Sequence, residues 1–205
     1  MAEFIKLYED PIDQKALRYV VDVLKSGGLV IYPTDTVYGL GCDIHNKKAL
    51  EKVARIKGIK LEKADLSFIC SDLTNLSDHV SQIETRTFKI LKRSLPGPYT
   101  FILPGSNNLP AVFKKKKTVG IRIPNHPIAL AIVRELGNPI ISTSIKDDDE
   151  VIEYTTDPEL IFEKWQSRVD VVIDAGFGGN EASTVIDLTG NEPLLIRKGK
   201  GDVIL

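Results

Sequence analysis

Gly28-Leu29-Val30-Ile31-Tyr32-Pro33-Thr34-Asp35-Thr36-Val37-Tyr38-Gly39-Leu40-Gly41 is the stretch from which the fold is read. Leu29 to Tyr32 is an apolar, strand-forming run. Pro33 then stops the strand ladder, because it has no N–H to donate. Hydroxyls at Thr34, Thr36 and Tyr38 follow, with the Asp35 carboxylate among them. Gly39 and Gly41 permit backbone angles closed to other residues and the close approach of a ligand. A buried strand that breaks into a polar, glycine-punctuated loop is how open α/β folds build ligand sites at strand ends. A Pro-Thr-Asp turn without a ligand would fit the same residues.

The flanking sequence supplies helices. Asp13 is placed to cap a helix that ends at Gly27, with Ala16, Leu17, Val20, Val21 and Leu24 on one apolar face. Asn46 caps a second, with Ala49, Leu50, Val53 and Ala54 inward and Gly58 as its stop. Leu66–Cys70 reads as a strand, and Asp72 to Val80 as a short helix or turn. Thr85–Leu95 is helical up to Pro96-Gly97-Pro98, and Tyr99–Leu103 is a strand closed by Pro104-Gly105. Leu109 to Phe113 is expected to form a helical turn.

Thr118–Ile123 is a strand stopped by Pro124, and Asn125 is expected to cap the helix that ends at Gly137. Pro139–Ser144 is a buried strand running into hydroxyls. Lys146 to Thr156 is polar and acidic and reads as a loop. Asp157-Pro158 starts a helix, and Val169–Ile173 is a strand. After the glycine-rich loop Gly176–Asn180, Ser183–Leu188 and Leu194–Arg197 pair as a hairpin. Strands and helices alternate without a strict βαβ repeat, so the expected fold class is α/β, a twisted open mixed sheet with flanking helices. With no repeat or linker, residues 1–205 read as a single domain.

Composition narrows the function. The 205 residues suit a domain with a real core. The formal net charge of −1 excludes a global basic field, so any nucleic-acid surface must be a local patch. Cys42 and Cys70 do not make a disulfide scaffold and read as buried, reduced thiols. No signal-peptide h-region and no run of membrane-spanning length occurs, which points to a cytoplasmic protein.

Polar groups collect at the strand ends: Thr34 and Thr36, Arg122, Thr143 and Ser144, Ser183 and Thr184, and Arg197. Arginine binds phosphate or carboxylate through a planar fork, and hydroxyls beside it hold phosphate oxygens or a small amino acid. No Walker loop and no G-x-G-x-x-G occurs, so a nucleotide would be held in an unusual way. His45, His79 and His126 lack metal-ligand spacing and read as surface or turn histidines, so no metal site is expected. No nucleophile elbow appears either. Lys114-Lys115-Lys116-Lys117 is either a solvated turn or a phosphate contact. Asp147-Asp148-Asp149-Glu150 reads as a repelling loop.

Several segments together resemble the YrdC-like family. They are Tyr32–Gly41, Pro96-Gly97-Pro98-Tyr99-Thr100, Thr118–Pro124, Ser183-Thr184-Val185-Ile186-Asp187 and Arg197-Lys198-Gly199, in the family's order across almost the whole chain. The resemblance implies a deep, positively charged cavity that binds nucleotide and, in several members, double-stranded RNA. It implies a reaction of threonine, bicarbonate and ATP (with Mg) to threonylcarbamoyl-AMP, which feeds threonylcarbamoyl-adenosine formation in tRNA. It places Thr34 and Ser183 near the threonine, Arg122 at its carboxylate and Thr143 among the substrate-binding residues. Lys57, Ser144 and Arg197 would meet the nucleotide.

Two departures bear on the activity. The synthase K-x-R motif reads Lys57-Gly58-Ile59, and S-x-N reads Ser144-Ile145-Lys146. An isoleucine cannot donate to a phosphate, and a lysine lacks an amide's paired donor and acceptor. Ser142-Thr143-Ser144 and Gly199-Lys200-Gly201-Asp202-Val203 resemble the YciO-like branch, which lacks both motifs. The expected function is therefore nucleotide and RNA binding with a synthase-type activity. The alternatives are an RNA-binding module without that chemistry, whose partner would be tRNA, ribosomal RNA or double-stranded RNA, and a transferase acting on another small substrate.

Overall fold

The computed structural model describes residues 1–58, 60, 66–74, 76–110, 113, 117–145 and 153–203. The first half of the chain forms β1 (Glu3–Lys6), α1 (Gln14–Lys25), β2 (Val30–Tyr32), β3 (Gly39–Asp43), α2 (Lys47–Ile56), β4 (Ser67–Ile69), α3 (Thr85–Ser94) and β5 (Tyr99–Pro104). The second half forms β6 (Thr118–Arg122), α4 (Pro127–Leu136), β7 (Ile140–Ser144), α5 (Glu153–Thr156), α6 (Pro158–Trp165), β8 (Val171–Asp174), β9 (Thr184–Asp187) and β10 (Leu194–Arg197). A 3₁₀ turn occupies Leu76–Asp78. The strands make one ten-stranded mixed sheet, in the order β1-β8-β2-β3-β7-β4-β6-β5-β9-β10. No helix among the described residues is long and apolar enough to cross a membrane.

The helix boundaries follow from capping chemistry. Asp13 Oδ1 accepts the free amides of Lys15 and Ala16 at 2.8 and 3.1 Å, and Asn46 Oδ1 accepts that of Ala49 at 3.1 Å. Gly137 ends α4 with φ +82°, a left-handed conformation that suits a residue without Cβ. The start of α4 differs from expectation: His126, not Asn125, takes the cap position, without a side-chain cap bond. Pro127 is the reason, since its fixed φ makes it the first helical residue. The Asn125 backbone N–H donates to Asp35 Oδ2 at 3.1 Å.

The glycine end of the opening stretch also differs. Gly39–Asp43 is not loop but β3, buried at all five positions and antiparallel to β2. Neither Gly39 nor Gly41 has positive φ. Their role is steric: a Cβ on Gly41 would lie 2.5 Å from Ile140 Cγ2 and 2.8 Å from the Tyr32 ring. Two further elements are absent from the sequence reading. β1 is a half-exposed edge strand paired parallel to β8. Glu153–Thr156, expected to be loop, is the short helix α5. The acidic run before it, and part of the turn expected at Leu109–Phe113, lie outside the described residues.

Strand alternation divides the core into two layers. On one face Ile31, Leu40, Phe68, Phe101, Ile121, Ile141 and Val172 pack with Ala49, Leu50 and Val53 of α2 and with Ile161 and Trp165 of α6. On the other, α1 and α4 pack against Val30, Tyr32, Val171 and Ile173, and against Ile69 and Ile140 at the ends of β4 and β7. Beyond those ends the second face carries small residues. Gly41 pairs with Ser142, Ser142 with Ser67, and Ser67 with Gly120. That row leaves the face hollow, and the hollow is the candidate site.

Gly41→Ala is expected to lower stability by about 1–3 kcal/mol, the usual cost of overpacking. It should appear as a lower urea midpoint with an unchanged slope. At Gly190, where a Cβ would meet nothing closer than 3.9 Å, the same change should leave the midpoint in place.

Candidate functional site

The hollow opens into a cavity of about 580 Å³. Its floor is Ser67, Gly120, Ser142 and Ser144, with Ile102, Val185 and Ile196 toward β10. The segment between β2 and β3 crosses above it. Thr34 Oγ1 donates to the Val37 carbonyl at 2.6 Å and accepts from the Thr36 amide at 3.1 Å, which folds the segment on itself. Arg122, at the end of β6, then pins it. Its Nη2 donates to Asp35 Oδ1 at 2.9 Å and to Thr36 Oγ1 at 3.0 Å. The Arg122 and Asp35 side chains are only 11% and 9% exposed. Lys200 Nζ adds a 2.6 Å bond to the Asp35 carbonyl.

This pairing limits what Arg122 can offer a ligand. Both Nη2 hydrogens are engaged, so Nε and Nη1 remain, and these do not make the usual fork onto one carboxylate. Nε is buried and has no partner among the described residues. A buried donor left without an acceptor costs about 1–3 kcal/mol, so its natural partner is a ligand atom or a water.

A second cationic corner forms between β9 and β10. Arg197 donates from Nε and Nη2 to the Ser183 carbonyl at 3.2 and 2.8 Å, and from Nη2 to Ser183 Oγ at 3.3 Å. Ser183 Oγ lies 2.8 Å from Thr100 Oγ1. The close of the chain holds this corner in place: Thr184 Oγ1 accepts from the Gly199 amide and donates to the Gly201 carbonyl. On the opposite wall Lys57 Nζ donates to the Ser144 carbonyl at 3.1 Å.

Six residues expected at the site therefore line one cavity: Thr34, Arg122, Thr143, Ser144, Ser183 and Arg197. Thr143 pairs with Leu40, so strand alternation puts its Cβ on the face away from Ser142 and Ser144. Lys57 reaches the wall through Ser144 rather than lining it. Of the tetralysine run, Lys117 is exposed and Lys114, Lys115 and Lys116 lie outside the described residues, as do Ile59 and Lys146. Ser67, Ser142 and Gly120 also line the cavity, and sequence reasoning names none of them as a site residue. Their signal is weak: a small residue at an alternate position of an otherwise bulky strand.

Other titratable groups are structural. Burial pushes the Cys42 and Cys70 thiols up to about 12, so neither is a nucleophile at neutral pH. His79 and His126 are half-buried rather than superficial, and desolvation lowers both below the ordinary histidine value. Among the described residues no three His, Cys, Asp or Glu side chains group as metal ligands would.

The open mixed sheet, with its two-cornered, hydroxyl-lined cavity, defines an α/β protein with a candidate site on one face. Similarity to known proteins gives its family. The sequence profile of the Sua5/YciO/YrdC family, described as telomere recombination, matches residues 22–199. The chain is 37% identical over 206 residues to YciO of Escherichia coli K12, covering 99% of this chain and 98% of that one. It is 32% identical over 180 residues to the threonylcarbamoyl-AMP synthase of Bacillus subtilis, covering 86% of this chain and 51% of the synthase. The crystal structure of E. coli YciO superposes with a TM-score of 0.89 at 36% identity, covering 98% of each chain. That of Pyrococcus abyssi Sua5 complexed with L-threonine superposes with 0.84 at 30% identity, covering 97% of this chain and 58% of that one. The chain belongs to the Sua5/YciO/YrdC family, and its fold is that of YciO and Sua5.

Asp35→Ala would leave the buried Arg122 charge unpaired. Thermal or urea unfolding should show a loss of about 3 kcal/mol or more. Asp35→Asn, which keeps an acceptor for Nη2, should lose less.

Proposed function

We propose that the cavity binds an adenine nucleotide together with a small amino acid and carries out a slow threonylcarbamoyl-AMP synthase-type reaction. The observation that carries this is convergence. Thr34, Arg122, Ser144, Ser183 and Arg197 come from separate motifs and meet around one volume. The Sua5 likeness supports it, since that relative was crystallised with L-threonine.

In this reading Thr34 and Ser183 hold the threonine, and Arg122 meets its carboxylate with Nε or Nη1. Lys57, Ser144 and Arg197 face the nucleotide, which brings its own magnesium. Bicarbonate and the threonine amine give a carbamate and water. The carbamate oxygen then attacks the α-phosphorus of ATP, and pyrophosphate leaves. The protein contributes position and neutralisation of the growing phosphate charge. With Ile59 and Lys146 in place of an arginine and an asparagine, part of that neutralisation is missing, so turnover is slow.

Calorimetry with ATP and AMP should show binding, and pyrophosphate release should require threonine and bicarbonate together. No heat at millimolar nucleotide would end the nucleotide reading. Turnover at the rate of an ordinary synthase, measured alongside, would end the claim of slowness.

RNA, as tRNA or a double-stranded segment, is the proposed macromolecular partner. Lys117 favours it: it is exposed and adjoins Thr118, which lines the cavity. Replacing Lys114–Lys117 with glutamine should flatten the salt dependence of tRNA affinity, by roughly one unit of log–log slope for each phosphate that is no longer neutralised. An unchanged slope would remove these lysines from the interface.

A further inference from the structure

The floor of the cavity contains a hydroxyl whose direction is set by a residue buried beside it, on the same face of the sheet. Tyr32 is fully buried, and its hydroxyl donates to Ser142 Oγ at 2.7 Å. Burial pushes the phenol up to about 12, so it keeps its proton. The direction of this bond is not arbitrary. Were Ser142 the donor, the Tyr32 proton would have no acceptor among the described residues, at a cost a core does not ordinarily bear.

Ser142 therefore accepts from the β2 side, and its own proton must point elsewhere. No acceptor for it occurs among the described residues, although Ser142 is only 5% exposed. It lines the cavity. The neighbouring Ser67 stands opposite Ser142 in the β4–β7 register and also lines the cavity, with no hydrogen bond from its hydroxyl among the described residues. Gly120 comes next in the row, so no side chain covers these hydroxyls from the β6 side. Gly39 and Gly41 complete the device by giving the Tyr32 ring room to lie flat: a Cβ on either would come within 3.3 Å of that ring.

We propose that Ser142 and Ser67 form a subsite for the phosphoryl oxygens of the bound nucleotide, with Tyr32 as the positioning residue that aims the Ser142 proton. This rests on the nucleotide reading above. Adjacent donors without competing acceptors suit an oxygen that carries negative charge, because a hydrogen bond to an ion is stronger than one to a neutral group. Ser144 follows two residues along β7 on the same face, with Lys57 on its carbonyl, so the floor runs toward a cation.

The test uses the full chain, with AMP and adenosine as calorimetric probes. Ser142→Ala alone strands the Tyr32 proton and should unfold at a lower temperature. Tyr32→Phe combined with Ser142→Ala removes both partners and should recover much of that stability. The double variant is the informative one: it should bind AMP about tenfold or more weakly, while adenosine changes less than about twofold. Ser67→Ala should shift the same ratio in the same direction. Tyr32→Phe alone should lower AMP affinity relative to adenosine, an effect that lost stability alone would not produce. AMP affinity unchanged in the double variant, or an equal loss for adenosine, would overturn the proposal while leaving the nucleotide reading intact. A wild-type protein that binds neither probe would overturn both.

Discussion

The site depends on one buried ion pair. Asp35 stands in the short connection between two neighbouring strands, and Arg122 ends a strand four places along the sheet from β2. Their 2.9 Å contact draws the connection across the face of the sheet instead of letting it turn at the edge. A pair this buried stabilises little by itself, because desolvation offsets most of the attraction. What it determines is geometry. With Asp35 held, Thr34 faces the floor, Asn125 is tied to the same carboxylate, and Arg122 can turn only part of its guanidinium toward a ligand.

The cavity exists because the sheet is asymmetric. One face is filled with Phe68, Phe101, Ile121 and Ile141, and close packing leaves no room there. The same strands present Ser67, Thr100, Gly120 and Ser142 on the other side. Burying these hydroxyls beneath a helix would leave them without partners, so α1 and α4 cover only the apolar part of that face. The part left uncovered is polar, concave and flanked by two arginines.

Much of the architecture was legible in the sequence, for local reasons. Asp13 and Asn46 announce helix starts because a short acceptor satisfies amides in its own turn, and Gly137 announces a stop because its φ is positive. The errors also have identifiable causes. Gly39 and Gly41 resemble loop residues, yet their function is to make room for the Tyr32 ring, a tertiary neighbour. Asn125 is a good cap by type, but Pro127 determines where the helix begins. β1 shows little because an edge strand with two half-buried residues between two exposed ones has no alternation to read.

The sequence by itself determined the family, the helix caps, the strand run at Val30–Tyr32 and the polar motifs that meet at the site, because each is written in contiguous residues. Only the tertiary structure decided how those motifs are used. It committed both Nη2 hydrogens of Arg122 to Asp35 and Thr36, made Ser142 Oγ the acceptor of the Tyr32 hydroxyl, and turned Thr143 to the opposite face. The physical reason is that a hydrogen bond has a direction and a limited number of hydrogens. Which of them remain for a ligand depends on partners as much as 110 residues away, and no local pattern records that.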